Sequence, residues 1–280
     1  MNEALSRQGK LLHPHRMFTI FKWAVYILLA WNAGQFLQED IAASAETFGN
    51  TISWRNIVEA YSAFIDTTAW LVLLLVFEFE TAIISDEKLK GGLSWFLLAV
   101  KAICYFFIVY AFYGYISKYF VITNLIPFNL ADVCNLVGTD WNYVVNLDDY
   151  PPMDAAGCAA MQGQQLVQVA GTEIIGTRAA LDSAWGLAVT DIINAGTWLI
   201  IVMLLELEVW MQLRDRLTDR LLSLGKYLKG FLYLVLFLAA VYWGFKGSFL
   251  DFWDAFLWLV AFVFIELNIF QWHEEVEEEK

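Results

Sequence analysis

Residues 66–80 read DTTAWLVLLLVFEFE, residues 194–208 read NAGTWLIIVMLLELE, and residues 254–268 read DAFLWLVAFVFIELN. The three stretches share one pattern without a gap: Asp or Asn, then Trp after four residues, Glu after eight more, and Glu or Asn after two more. Three matches at fixed spacing indicate an internal repeat, which decides the architecture of a fold. The shared positions are Asp66, Asn194 and Asp254; Trp70, Trp198 and Trp258; Glu78, Glu206 and Glu266; and Glu80, Glu208 and Asn268.

Each of these stretches lies in an apolar segment of an unusually apolar chain. Of the 280 residues, 59% are hydrophobic and 17% are charged, whereas soluble domains are about half apolar and a quarter charged. Apolar segments of about 20 residues cross a bilayer as helices, because lipid offers no partner for backbone N–H and C=O groups. We therefore predict an all-α integral membrane protein with six transmembrane helices, at residues 17–37, 63–85, 93–119, 187–209, 228–243 and 252–271.

A second, weaker pattern marks the first, third and fifth spans, each of which carries Lys-x3-Tyr, at Lys22, Lys101 and Lys229. The two patterns alternate along the chain, so the repeating unit is a hairpin of two spans. Parallel repeats imply a pseudo-rotation axis along the membrane normal. We predict three tandem hairpins around a pseudo-three-fold axis, at residues 17–92, 93–213 and 214–272, between an N-terminal segment 1–16 and an acidic tail 273–280.

The basic residues predict the orientation of the spans. With the N-terminus in the cytoplasm, 13 of the 17 Lys and Arg residues lie on or near the inner side, as the positive-inside rule requires. We expect a bacterial inner-membrane protein with both termini in the cytoplasm and a long outer loop, residues 120–186. That loop holds Cys134 and Cys158, for which we predict a disulfide in the oxidising outer compartment, while Cys104 is expected in the core.

Several classes of function are excluded by composition. The net charge of −13 leaves no basic footprint for nucleic acid. All three histidines lie outside the predicted spans and three cysteines are too few for a zinc cluster, so no metal or other cofactor is expected. No catalytic triad or nucleotide-binding motif occurs, so we expect no enzyme. The expected partners are membrane lipids and cations; a homo-oligomer or a larger membrane complex remains open.

Charged residues inside the spans are costly and indicate function. Asp66 and Glu78 are 12 residues apart, about 18 Å along a helix. The Asp/Asn set is therefore placed near the outer leaflet, and the Glu set near the inner leaflet at the depth of the lysines. In one interpretation each lysine pairs with a glutamate as a structural clamp, with expected pairs Lys22–Glu78, Lys101–Glu206 and Lys229–Glu266.

In the other interpretation the acids line an ion pathway, because rings of acidic side chains select cations. Two acids that are two residues apart point in nearly opposite directions on a helix, so only one of each pair faces the centre. The outer loops and outer helix ends carry fifteen acids in all, which suggest an acidic vestibule or a merely solvated acidic surface. Besides Asp66 and Asp254 they are Glu39, Asp40, Glu46, Glu59, Asp132, Asp140, Asp148, Asp149, Asp154, Glu173, Asp182, Asp191 and Asp251.

The resulting functional expectation is a cation channel or cation-coupled transporter. The alternative is a non-catalytic scaffold or subunit of a larger membrane complex, in which the Lys–Glu pairs and Trp70, Trp198 and Trp258 pack the bundle. A weaker third interpretation is a lipid-binding protein whose lysines hold anionic headgroups.

Overall fold

The computed structural model describes residues 14–48, 53, 57–80, 91–212, 214 and 218–262, and this part of the chain is mostly helical. Two helices are short, and six are long. The helices are α1 Pro14–Phe48, α2 Ile57–Ala60, α3 Ser62–Glu78, α4 Gly92–Thr123, α5 Ala155–Met161, α6 Arg178–Gln212, α7 Asp219–Lys246 and α8, which covers residues 249–262.

Three of these helices are long and apolar enough to cross a membrane: Gly92–Thr123, Arg178–Glu208 and Arg220–Lys246. They contain the third, fourth and fifth predicted spans. The first predicted span lies within α1, which is not among the three. Helix α3 has 17 residues and the described part of α8 has 14, fewer than the about 20 that a bilayer crossing needs. The six-span arrangement therefore stays a prediction.

Helix α4 illustrates how these helices distribute their apolar residues. Its buried side chains, such as Leu97, Cys104 and Ile108, form a narrow stripe, with the spacing of one helix face. Large apolar side chains elsewhere on α4 are exposed, and Trp95 is 73% exposed. A continuous exposed apolar surface marks contact with a membrane or with another protein. The prediction that Cys104 lies in the core is confirmed.

One hydrophobic core joins all six long helices. It receives at least one buried side chain from each of them, in chain order Leu29, Trp70, Ile108, Ile201, Leu236 and Ala261. A hydrogen bond from Asn32 of α1 to Asp254 of α8 links the first and last of these helices. At Gly114 the backbone of α4 approaches α2, because an added Cβ would lie 3.1 Å from the carbonyl oxygen of Val58.

The segment between α4 and α6 folds as a small domain, residues 124–177. Its strands are β1 Leu125–Phe128, β2 Asn142–Tyr143, β3 Leu166–Val169 and β4 Ile174–Thr177, in the sheet order β1-β3-β4-β2. The all-α prediction is wrong for this segment. Strands β3 and β4 are rich in β-branched residues and form an antiparallel hairpin, whose turn contains Gly171 with a φ of +82°.

The predicted disulfide between Cys134 and Cys158 is confirmed. Cys134 lies in a 3-10 turn and Cys158 in α5, and their Cα atoms are 5.0 Å apart. The bridge joins residues separated by 24 positions, and a loop of that size contributes about 3 kcal/mol in the chain-entropy model. It thereby stabilises a domain whose own core is small.

Candidate functional site

An acidic cavity of about 100 Å³ lies in the half of the helix bundle next to the 124–177 domain. It is surrounded by α1, α3, α4, α6, α7 and α8, and by a loop of the domain. Its carboxylates come from several helices and are Glu39, Asp40, Asp66, Asp148, Asp191, Asp251 and Asp254. Seven of the fifteen outer acids named from the sequence therefore line one space, and six others do not line it. The side chains of the remaining two, Glu46 and Glu59, lie outside the described part of the structure.

The acidic cavity also brings together repeat positions that are far apart in the sequence. Asp66, Asn194 and Asp254 all line it. The three tryptophans that follow four residues later, Trp70, Trp198 and Trp258, line it as well. Residues i and i+4 lie on one helix face, so each of the three helices points this face at the same space.

Two further sets of equivalent positions line the acidic cavity; the sequence pattern was not extended to them, although Asp191 and Asp251 were named individually as outer acids. One set lies three residues before each Asp or Asn, and consists of Ala63, Asp191 and Asp251. The other lies 14 residues after each lysine of the Lys-x3-Tyr pattern, and consists of Phe36, Tyr115 and Trp243. Counting from the motif residues at helical spacing would have found both sets.

Neighbouring side chains orient the two aspartates of the motif. The Tyr115 hydroxyl donates a hydrogen bond of 3.1 Å to Asp66, and the Asn32 amide donates one of 2.9 Å to Asp254. A side-chain hydrogen bond also joins Trp70 to Asp66 and Trp258 to Asp254. The spacing Asp-x3-Trp therefore places an indole N–H donor against the carboxylate of the preceding turn.

The carboxylates at the mouth of the acidic cavity hold protons more tightly than usual. Burial, together with the smaller effect of neighbouring carboxylates, raises the pKa of Glu39 to about 7 and that of Asp251 to about 6. Burial likewise raises the pKa of Asp40 to about 7, although Lys118 acts in the opposite direction. Lys118, which the sequence analysis did not select, is the only basic side chain lining this cavity among the described residues, and it pairs with Asp148.

Carboxyl groups thus outnumber basic groups in the acidic cavity by seven to one among the described residues. Charge repulsion and burial both disfavour the ionised acids, and a bound proton or cation relieves both. Within the described ranges, however, no three His, Cys, Asp or Glu side chains are arranged to hold one metal ion.

A second cavity of about 200 Å³ lies on the other side of the tryptophans, and we call it the apolar cavity. Trp70, Trp258 and Phe262 line both cavities and form, with Trp198, an aromatic layer between them. The ring centroids of Trp198 and Phe262 are 4.3 Å apart, and those of Trp70 and Trp198 are 6.4 Å apart. Aromatic packing thus occupies the middle of the bundle.

The lysines pair with glutamates, but not all in the predicted combinations. Lys22 and Glu78 form the predicted pair, which is nearly fully buried. Lys101 pairs with Glu80 at 2.9 Å, not with Glu206. Lys229 pairs with Glu208 at 2.8 Å. The predicted pair Lys229–Glu266 stays a prediction, because Glu266, like Asn268, lies outside the described residues.

The pairs Lys101–Glu80 and Lys229–Glu208 share one spacing. In each, the lysine follows its glutamate by 21 residues, so the pair joins the end of one long helix to the beginning of the next. Glu206 instead accepts a hydrogen bond of 2.8 Å from the hydroxyl of Tyr105. Each of these lysines therefore pairs with a glutamate of the preceding predicted hairpin, whereas the prediction placed its partner in its own hairpin.

The adjacent acids of each helix face different neighbours. Glu78 contacts Lys22 and Tyr26 of α1, while Glu80 contacts Lys101 of α4. Of the glutamates in the motif, Glu80 and Glu206 line the apolar cavity. The sequence left open which acid of each pair faces the centre. Just after α3 the second acid of the motif lines the apolar cavity, and in α6 the first acid does.

Comparison of the chain with known proteins adds no assignment to this geometry. Neither protein-family models, nor curated proteins, nor solved structures match it. The features of the molecule that bear on function are the two cavities, the charges that line them and the aromatic layer between them.

Proposed function

We propose that this protein is a cation channel or cation-coupled transporter of the inner membrane, and that the acidic cavity is where the cation or proton enters. The observation that carries the proposal is the convergence of Asp66, Asn194 and Asp254 on one cavity. Ionisable groups on membrane helices are rarely retained without a function. An acidic cavity concentrates cations before they cross.

The proposal includes six spans arranged as three hairpins around a pseudo-three-fold axis. Its support is that four sets of equivalent positions, namely the Asp/Asn set, the Trp set and the two sets to which the sequence pattern was not extended, line one cavity. In this arrangement the 124–177 domain lies outside and both termini lie in the cytoplasm. The acidic cavity is then the outer entrance, and the apolar cavity faces the cytoplasm.

In the proposal the structure represents a closed state of the channel or transporter, because the aromatic layer separates the acidic cavity from the apolar cavity. Passage of an ion requires the rings of Trp198 and Phe262, now 4.3 Å apart, to separate. A gated channel or an alternating-access transporter fits this geometry better than a permanently open pore. In alternating access one part of the bundle moves against another around a fixed site.

The test is cation flux into proteoliposomes for the double variant Asp66→Asn/Asp254→Asn. Asparagine keeps the size and an acceptor oxygen for Tyr115 and Asn32, so the variant removes charge with little change in packing. We expect flux to fall at least tenfold. The control is Asp140→Asn/Glu173→Gln, which removes two exposed charges of the 124–177 domain away from the cavity and should retain most of the flux.

The scaffold interpretation predicts a different result. Its specific support is the aromatic layer and the Lys–Glu pairs, because a core with a purely structural role would contain the same features. If wild-type liposomes carry no flux under any ion gradient or membrane potential, or if the cavity and control variants behave alike, transport is excluded and the scaffold role is favoured.

A further inference from the structure

The apolar cavity differs from the acidic cavity in the chemistry of its walls. It is lined by apolar side chains, including Leu73, Leu74, Val202 and Leu205, and by five aromatic residues, Trp70, Phe77, Tyr105, Trp258 and Phe262. The polar lining consists of Glu80, Lys101 and Glu206, beside the Tyr105 hydroxyl. Such a space combines a large hydrophobic surface with a few charged groups, as small-molecule sites do.

The charges at the polar end do not balance. Lys101 neutralises Glu80 through a 2.9 Å ion pair. Glu206, whose side chain is exposed at the edge of the cavity, accepts a hydrogen bond from the neutral Tyr105 hydroxyl, and among the described residues no basic side chain lies within ion-pairing distance of it. Two carboxylates against one ammonium give the lining of the cavity a net charge of about −1, so an occupant that carries one positive charge is complementary to it.

The walls decide which kind of cation fits. An inorganic ion would lose its water for a lining with few oxygen ligands, which is costly. An organic cation brings its own apolar surface, whose burial is favourable, and a substituted ammonium is attracted to aromatic faces. We propose that the apolar cavity binds a lipophilic organic ammonium ion, with Glu206 as its counter-ion.

If the protein is the transporter proposed above, the organic ammonium ion is its substrate; in this respect the inference rests on the proposed function. The apolar cavity adjoins the aromatic layer through Trp70, Trp258 and Phe262, so a bound organic cation lies against the aromatic layer that has to open for transport. Binding itself needs no ion gradient. It can therefore be tested separately from flux, and either result can fail without the other.

The experiment is isothermal titration calorimetry of the full chain in lipid nanodiscs. The probes are phenyltrimethylammonium and its neutral carbon isostere tert-butylbenzene, with empty nanodiscs titrated to subtract partitioning. We expect the cation to bind at least tenfold more tightly than the isostere. Equal affinity for the two probes would mean that the cavity is hydrophobic without selectivity for charge, and is filled by lipid or detergent, and would overturn the proposal.

Two variants locate the site. Glu206→Gln should weaken binding of the cation at least tenfold and leave binding of the isostere unchanged, and Leu205→Trp should block both probes by filling the cavity. The matched control is Asp182→Asn on the same helix, whose side chain is exposed beside Arg178 and which should bind like wild type. Thermal unfolding of each variant verifies folding. If folded Glu206→Gln binds like wild type, or if folded Leu205→Trp still binds the cation, the assignment is wrong.

Discussion

Asp40 lies almost fully buried at the mouth of the acidic cavity, where it accepts a hydrogen bond of 2.9 Å from the backbone N–H of Phe64. Burial raises the pKa of its carboxyl to about 7, whereas in the unfolded chain the pKa is about 4. The folded state therefore holds a proton that the unfolded state has lost between these two pH values. By linkage, Asp40 favours folding below pH 4 and loses this contribution as the pH rises through 7.

We predict that replacing Asp40 by Asn flattens the pH dependence of stability. The amide cannot ionise and keeps an acceptor oxygen for Phe64. Thermal unfolding between pH 5 and pH 8 should show the variant melting at least about 3 °C higher than wild type at pH 8, with a smaller difference at pH 5, since 1 kcal/mol corresponds to roughly 2–4 °C in a chain of this size.

The exposed residue Asp140 provides the control for this measurement. Asp140→Asn should leave the slope of the melting temperature against pH unchanged. Parallel curves for wild type and Asp40→Asn would show that the Asp40 carboxyl does not hold a proton in the folded state.

Between helices, the ion pairs bridge the turns at the far side of the bundle from the 124–177 domain. Lys101 of α4 pairs with Glu80 just after α3, and Lys229 of α7 pairs with Glu208 of α6, with the same sequence separation of 21. The same arrangement at two turns indicates that these pairs fix how consecutive helices are aligned along their axes.

A double-mutant cycle distinguishes the observed partner of Lys101 from the one expected from the sequence. Lys101→Met leaves the Glu80 carboxylate without its ammonium and should lower the free energy of unfolding by about 1 kcal/mol, the scale of a partly exposed pair. Adding Glu80→Gln should recover most of that loss, because the unpaired charge is gone. Chemical unfolding in detergent measures the coupling.

The same cycle with Glu206→Gln in place of Glu80→Gln serves as the comparison. Glu206 contacts Tyr105 rather than Lys101, so its coupling energy with Lys101 should be close to zero. Stronger coupling of Lys101 to Glu206 than to Glu80 would restore the expected pairing and contradict the structure.

Sequence periodicity predicted the elements better than it predicted their partners. The three helices that are long and apolar enough to cross a membrane, and the Cys134–Cys158 bridge, could be predicted from composition and compartment alone. The pairs of Lys101 and Lys229 could not, because a repeat leaves open whether a lysine meets the acid of its own hairpin or of the preceding one. The sheet of residues 124–177 was missed because short strands such as Ile174–Thr177 carry little signal beside long apolar helices.

Across the whole molecule, the motif residues identified the centre of the bundle but not its division into two spaces. Asp-x3-Trp placed acids and rings on one helix face, and that face lines the acidic cavity. That Phe262 completes an aromatic layer with Trp198 depends on packing between α6 and α8. Only the folded arrangement of those helices could supply this contact.

The decisive measurement is the position of a bound cation in a crystal grown from a lipid phase and soaked in rubidium chloride. Rubidium is a monovalent ion with a strong anomalous signal, and it suits a cavity without a preformed metal chelate. The proposal predicts an anomalous peak among Asp66, Asn194 and Asp254, absent in Asp66→Asn/Asp254→Asn. Peaks confined to the protein surface, or an unchanged peak in the double variant, would contradict it.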